Sequence, residues 1–196
     1  LDQLAIMFRT RESQLRNFVA SLEEPSIPVR IAVIRHSGAA RRKSTIAFFC
    51  LGKFQIKVKG TSVETRRVSK ALNILKFLVQ RRRPCTREVL IETLWPESEP
   101  EAASNRLRVE MHTLRQIFVE DGNVQNVIVY HDGCYELSPS IDIWVDADEF
   151  EALWRQGMRF EVDGLRPQAT QCYEEAELLY RGDYLEEDLY EEWTLR

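Results

Sequence analysis

Between Glu101 and Phe118 apolar residues recur at a helical interval, and polar ones recur at the same interval half a turn away. Leu107, Met111, Leu114 and Phe118 fall at i, i+4, i+7 and i+11, a stripe that requires a core to cover it. At about 100° per residue, Asn105, Val109, His112 and Gln116 lie on the opposite side, with Arg106, Arg108 and Thr113 on the shoulders. Short hydrogen-bonding side chains among guanidinium groups suit the base edges and phosphates of a major groove. An ordinary amphipathic surface helix would carry the same stripe, so the neighbouring segments have to separate the two readings.

Charge separates them. The formal net charge of −4 hides a division of the chain: residues 41–118 carry 17 Lys+Arg and 7 Asp+Glu, residues 119–196 carry 5 and 20, and residues 1–40 carry 5 and 4. A basic block of domain size is the electrostatic footprint of a polyanion, and the acidic block would be repelled by that same partner. A chain of 196 residues with 44% hydrophobic residues can bury one large core or two small ones. Cys50, Cys85, Cys134 and Cys172 are too evenly spread for a metal pattern or a disulfide framework, so reduced thiols in a cytoplasm are expected. No apolar run approaches about 18 residues, so neither a membrane span nor a signal peptide is expected. The chain begins at Leu1, which implies a segment of something longer. His36, His112 and His131 stand in no nucleophile or metal motif, so the expectation is no enzyme, no metal and no cofactor.

In chain order, residues 1–22 place Leu1, Leu4, Phe8, Leu15, Phe18, Val19 and Leu22 at roughly helical spacing. Such a helix could end an upstream domain, serve as a linker or join a dimer. Pro25 and Pro28 interrupt it, and Arg30–Ser44 is a basic linker. Ile46–Leu51, Phe54–Val58 and Ser62–Arg66 have the composition of short strands, the last two joined by a Lys59-Gly60 turn. Ala71–Val79 fits a helix ending in Arg81-Arg82-Arg83-Pro84, where the cations suit either the helix dipole or a phosphate. Thr86 can cap a second helix. The acidic loop Pro96–Glu99 then leads to Pro100, which suits the first position of the Glu101–Phe118 helix. Asp132-Gly133 between Asn126–Tyr130 and Tyr135–Leu137 signals a hairpin. Strands, three helices and a hairpin in that order describe a helix-turn-helix with a wing. Beyond it, Asp146-Ala-Asp supplies capping carboxylates for a helix holding Phe150, Leu153 and Trp154. Ala169, Cys172, Tyr173 and Ala176 mark a second, antiparallel helix of tetratricopeptide (TPR) kind.

Leu51-Gly-Lys-Phe-Gln-Ile-Lys-Val58, Asn105–Arg115 and Gly133-Cys-Tyr-Glu-Leu137 resemble the OmpR-type winged helix of SARP-type antibiotic-pathway regulators. Asp146-Ala-Asp-Glu-Phe150, Gly157 with Gly164, and Ala176–Leu185 resemble the bacterial transcriptional activation domain that follows it in those proteins. The likeness spans about Phe48–Trp193. It implies recognition by Glu101–Phe118, backbone contact by the flanking arginines and the wing, and polymerase contact by Pro96–Glu99. One departure is the wing tip Tyr130-His131-Asp132, where such proteins often offer an arginine to the minor groove.

The resulting expectation is an α+β chain in three parts: an N-terminal helix and linker (1–45), an OmpR-type winged helix (46–140) and a partial, all-α TPR-like activation domain (141–196). The expected function is a cytoplasmic transcription activator. Asn105, Val109, His112, Thr113 and Gln116 would read bases, and Arg66, Arg67, Arg81, Arg82, Arg106, Arg108 and Arg115 would meet phosphates. Tyr130, His131 and Tyr135 form the wing, and Glu97 and Glu99 would touch a protein. The partners are double-stranded promoter DNA, RNA polymerase and a second copy on repeated half-sites, with no membrane. The alternative is a TPR-like adaptor whose winged helix leaves DNA alone.

Overall fold

Two tight turns show how local sequence builds the sheet pieces of this protein, whose structure is a computed structural model describing residues 45–64, 70–122, 124–189 and 191, without the side chains of 121 and 122. The expected helix at 1–22, the basic linker, Arg66 and Arg67 lie outside the described residues. The elements run β1 Ile46–Phe49, β2 Gln55–Val58, β3 Thr61–Ser62, α1 Lys70–Arg81, β4 Cys85–Thr86, α2 Arg87–Leu94 and α3 Pro100–Gly122. They continue with β5 Ile128–His131, β6 Cys134–Leu137, β7 Ile143–Val145, α4 Asp146–Val162 and α5 Arg166–Glu177, and end in a 3₁₀ turn, Glu186–Asp188. Lys59 and Gly60 both take positive φ (49° and 85°), as do Asp132 and Gly133 (49° and 78°). Two consecutive left-handed residues make the primed turn whose twist matches a hairpin. Val58 accordingly pairs with Thr61, and His131 with Cys134.

The described residues fall into two compact units. One takes Thr45–Phe48 and Gln55–Ile143; the other takes Phe49–Phe54 and Trp144–Leu189. Phe49–Phe54 thus groups with the helices, a strip that the sequence places in the winged helix.

In the first unit β3, β2 and β1 are neighbours in that order, and a second sheet runs β4-β6-β5. β4 is only two residues long, Cys85 opposite Tyr135 and Thr86 opposite Cys134, too short to leave a periodic signal. α1, α2 and α3 close over a core in which Ile46, Phe48, Ile74, Leu75, Leu90, Leu107, Leu114 and Phe118 are at most 1% exposed. Phe118 meets Phe48 edge-on, with ring centroids 6.5 Å apart. α2 begins as its sequence implies, the Thr86 hydroxyl accepting from Val89 N at 3.3 Å.

In the second unit α4 and α5 form a helical hairpin around Gly164, which takes φ 73° in the turn. Tyr173 of α5 packs on Trp154 (centroids 5.1 Å) and donates its hydroxyl to Glu161 at 3.0 Å. Gly157 lies under that ring, and a Cβ built there would collide with the Tyr173 ring carbons. Gly157→Ala should therefore destabilise this unit by about 1–3 kcal/mol through overpacking, read as a lower urea midpoint. Unchanged stability would show that the Tyr173 ring moves aside freely.

Asp146 corrects an expectation. It is the first residue of α4, and the N-cap is Val145, which makes no side-chain cap bond. The Asp146 carboxylate instead turns away and accepts from Cys50 N at 2.6 Å, Leu51 N at 3.1 Å and the Arg181 guanidinium at 2.9 Å. Both are buried amides that need an acceptor, a stronger demand on a carboxylate than an exposed helix end. Arg181 also lies over the Phe49 ring, 4.7 Å from its centroid. The four cysteines are free thiols, with Cys50, Cys85 and Cys172 buried.

Candidate nucleic-acid interface

α3 has the two faces that its sequence implies. Ala103, Leu107, Met111, Leu114 and Phe118 are all 3% exposed or less. Asn105, Val109, His112 and Gln116 stand in solvent on the other side, Val109 at 62%. An exposed valine amid hydrogen-bonding side chains weakens a water-facing surface, and suits a thymine methyl. The structure brings together four of the five expected base readers with full freedom. The fifth is constrained: the Thr113 hydroxyl donates to Val109 O at 3.1 Å, within its own helix. Its remaining function toward a base is that of an acceptor.

The cations divide. Arg108 and Arg115 are exposed beside the reading face. Arg106, on the other shoulder, donates from Nη1 to the Ser98 hydroxyl at 3.0 Å. It thereby pins the α2–α3 loop, in which Ser98 N also bonds Trp95 O at 3.1 Å and Glu97 and Glu99 are exposed. Arg81 is only half-exposed, sits 5.8 Å from the Phe77 ring centroid and has its Nε buried without a partner, so packing constrains its reach. Arg82 takes φ 55° immediately after α1 and is exposed.

The wing presents Tyr130 directly across from Tyr135, with ring centroids 4.6 Å apart and Tyr130 53% exposed. At its tip His131 Nδ1 lies 3.0 Å from Asp132 Oδ2. A carboxylate there is the wrong sign for the negative potential of a minor groove. The wing thus presents an aromatic pair, with a carboxylate at its tip.

Glu110 escapes a purely sequential reading. It is half-buried on α3, and its Oε2 accepts from Ala71 N in the first turn of α1 at 3.0 Å. The available signal was that Glu110 is the sole acidic residue between Ala102 and Val119. Among the described residues no group of three His, Cys, Asp or Glu is placed to hold a metal ion, and no helix is long and apolar enough to cross a membrane.

Residues 63–134, from just after β3 to the first residue of β6, match the family described as transcriptional regulatory protein, C terminal. With the helices and wing above, this segment has the arrangement of a winged helix of that kind. The fold is similar to that of Mycobacterium tuberculosis EmbR, solved in complex with a low affinity phosphopeptide. The TM-score is 0.64 and the identity 26%, over 74% of this chain. The match takes in 38% of the EmbR chain, so this chain spans well under two thirds of that protein. A comparison with curated proteins gives no match.

Proposed function

We propose that this chain is a SARP-type transcription activator that binds double-stranded promoter DNA with α3. Asn105, Val109, His112 and Gln116 face the bases, with Arg108 and Arg115 on phosphates. The observation that carries the reading is the placement of that exposed polar face directly behind a fully buried stripe, inside the segment that matches a regulator family. RNA polymerase meets the acidic α2–α3 loop through Glu97 and Glu99, held in shape by the bond from Arg106 to Ser98. The α4–α5 hairpin is the first TPR-like repeat of an activation domain and binds protein. Two copies occupy repeated half-sites. The protein works in the cytoplasm as a binding protein, with neither catalysis nor a cofactor.

Salt-titrated DNA affinity tests this. If about five cations displace phosphate counterions, the slope of log affinity on log salt is about −4 to −5. Replacing His112 and Gln116 together by alanine should relax preference at one or two base pairs, by about 1–3 kcal/mol each, and leave non-specific affinity nearly intact. Affinity without salt dependence would favour the adaptor reading. Equal loss of specific and non-specific binding in a folded double variant would move recognition off this face.

A further inference from the structure

α4 carries apolar residues on two sides, and only one side is covered. Phe150, Leu153, Trp154 and Gly157 are buried. Met158 and Val162 stand in solvent, Met158 at 40% and Val162 at 87%. Arg155 and Arg159 accompany them: at about 100° per residue, positions 155, 158, 159 and 162 fall within one stripe about 100° wide. A groove of about 400 Å³ runs along this stripe, bordered among the described residues by those four side chains and by Asp163.

The charge of the stripe is out of keeping with its surroundings. Residues 119–196 hold 5 Lys+Arg against 20 Asp+Glu, and Arg155 and Arg159 are two of those cations. Arg155 donates to Glu151, one turn earlier, at 2.6 Å, and its side chain is still 60% exposed. Arg159 is exposed and, among the described residues, forms no ion pair in a unit rich in carboxylates. The helix dipole favours a cation in the last turn of α4, where Arg159 sits. It accounts neither for Arg155, in the middle of the helix, nor for an almost bare valine. A thioether and a valine between two guanidinium groups have the make-up of a protein interface, where methionine and arginine are enriched.

DNA is a poor occupant of this face. Phosphates gain nothing from Met158 and Val162, and the acidic excess of residues 119–196 repels them. A protein segment with apolar side chains along one side and carboxylates beside them satisfies both halves of the stripe. With the α4–α5 hairpin read as a protein-binding element, as above, we propose that this face of α4 docks an acidic amphipathic helix of a partner protein. The apolar side chains of that helix enter the groove over Met158 and Val162, and its carboxylates meet Arg155 and Arg159.

The probe is a labelled helical peptide with leucines along one side and glutamates beside them. A lysine-for-glutamate counterpart and a scrambled peptide of the same composition serve as controls, all titrated into the full chain by fluorescence anisotropy. The glutamate peptide should bind about tenfold more tightly than either control. Arg159→Glu should weaken the glutamate peptide about tenfold and tighten the lysine peptide, a reversal that a role in helix stability alone would not produce. Val162→Ser should weaken the glutamate peptide about fivefold. Both variants should keep the wild-type affinity for duplex DNA, and a thermal melt of each checks the fold. Should Arg159→Glu fail to fold, Val162→Ser at an exposed site still tests the face. Equal binding of the glutamate and lysine peptides, or binding indifferent to both substitutions, would overturn the proposal while the hairpin remains a protein-binding element. So would a loss of duplex DNA affinity in Arg159→Glu as large as the loss of peptide affinity, or a wild-type dimer that Arg159→Glu dissociates. The first gives the face to phosphates and the second to another copy of this chain. Binding of none of the three peptides would remove both the proposal and the reading beneath it.

Discussion

Replacing Arg181 by alanine should cost the helical unit about 3 kcal/mol at neutral pH, the lower end of the range for breaking a buried ion pair. Asp146 is fully buried, whereas the Arg181 side chain is 36% exposed, and two backbone amides still serve the carboxylate after the guanidinium is gone. Burial pushes the Asp146 carboxyl above the ordinary aspartate range. The amides of Cys50 and Leu51 and the charge of Arg181 oppose that rise without cancelling it. A carboxyl whose pKa is raised by folding binds more protons in the folded state between the two values, so stability rises as pH falls through that interval. Without Arg181 the interval extends upward. The deficit of Arg181→Ala should therefore be largest near pH 7 and shrink toward about pH 5. Urea midpoints at the two pH values measure this, and in an Asp146→Asn background the Arg181 substitution should cost much less. A deficit that grows on acidification would mean that Arg181 stabilises through the Phe49 ring and not through Asp146.

Leu114→Ala should unfold the winged helix by about 2–5 kcal/mol, because the side chain is completely buried and its loss opens a cavity beneath α3. DNA affinity should fall for every sequence alike, since the whole helix loosens. The double alanine variant of His112 and Gln116, exposed on the opposite side, should keep its melting temperature. A Leu114→Ala protein as stable as wild type would show that α3 is held by something other than its stripe.

The Asp146 node also bears on how the chain can be divided. The charge pattern leads to the expectation that a fragment of about residues 44–140 folds and binds DNA alone. Such a fragment keeps Phe49–Phe54 but loses Asp146 and Arg181, and with them the acceptor for Cys50 N and Leu51 N and the guanidinium over Phe49. It also loses the Asp183 and Tyr184 partners of Gly52 and Leu51. The 44–140 fragment should therefore melt below the whole chain, and extending it through Leu189 should restore the difference.

What the sequence determined by itself is what depends on near neighbours. The stripe of α3, the cap at Thr86, the start at Pro100 and the turns at Lys59-Gly60 and Asp132-Gly133 are set by residues within a few positions of each other. The side-chain period, the left-handed φ and the capping hydroxyl act locally. The basic and acidic blocks were legible for a similar reason, since net charge sums over composition and needs no geometry. The tertiary structure alone decided which polar groups meet across long loops. Asp146 reads as a helix cap until Cys50 and Leu51, 96 and 95 residues away, present two buried amides that need an acceptor. Arg106 and Arg81 stand out in the sequence by charge alone, and only the fold sets Arg106 against Ser98 and Arg81 against the Phe77 ring. Glu110 reads as one more polar residue until Ala71, 39 positions earlier, aims an open amide at it. An unsatisfied buried donor costs about 1–3 kcal/mol wherever its partner sits in the chain, so packing, not sequence proximity, chooses the partner.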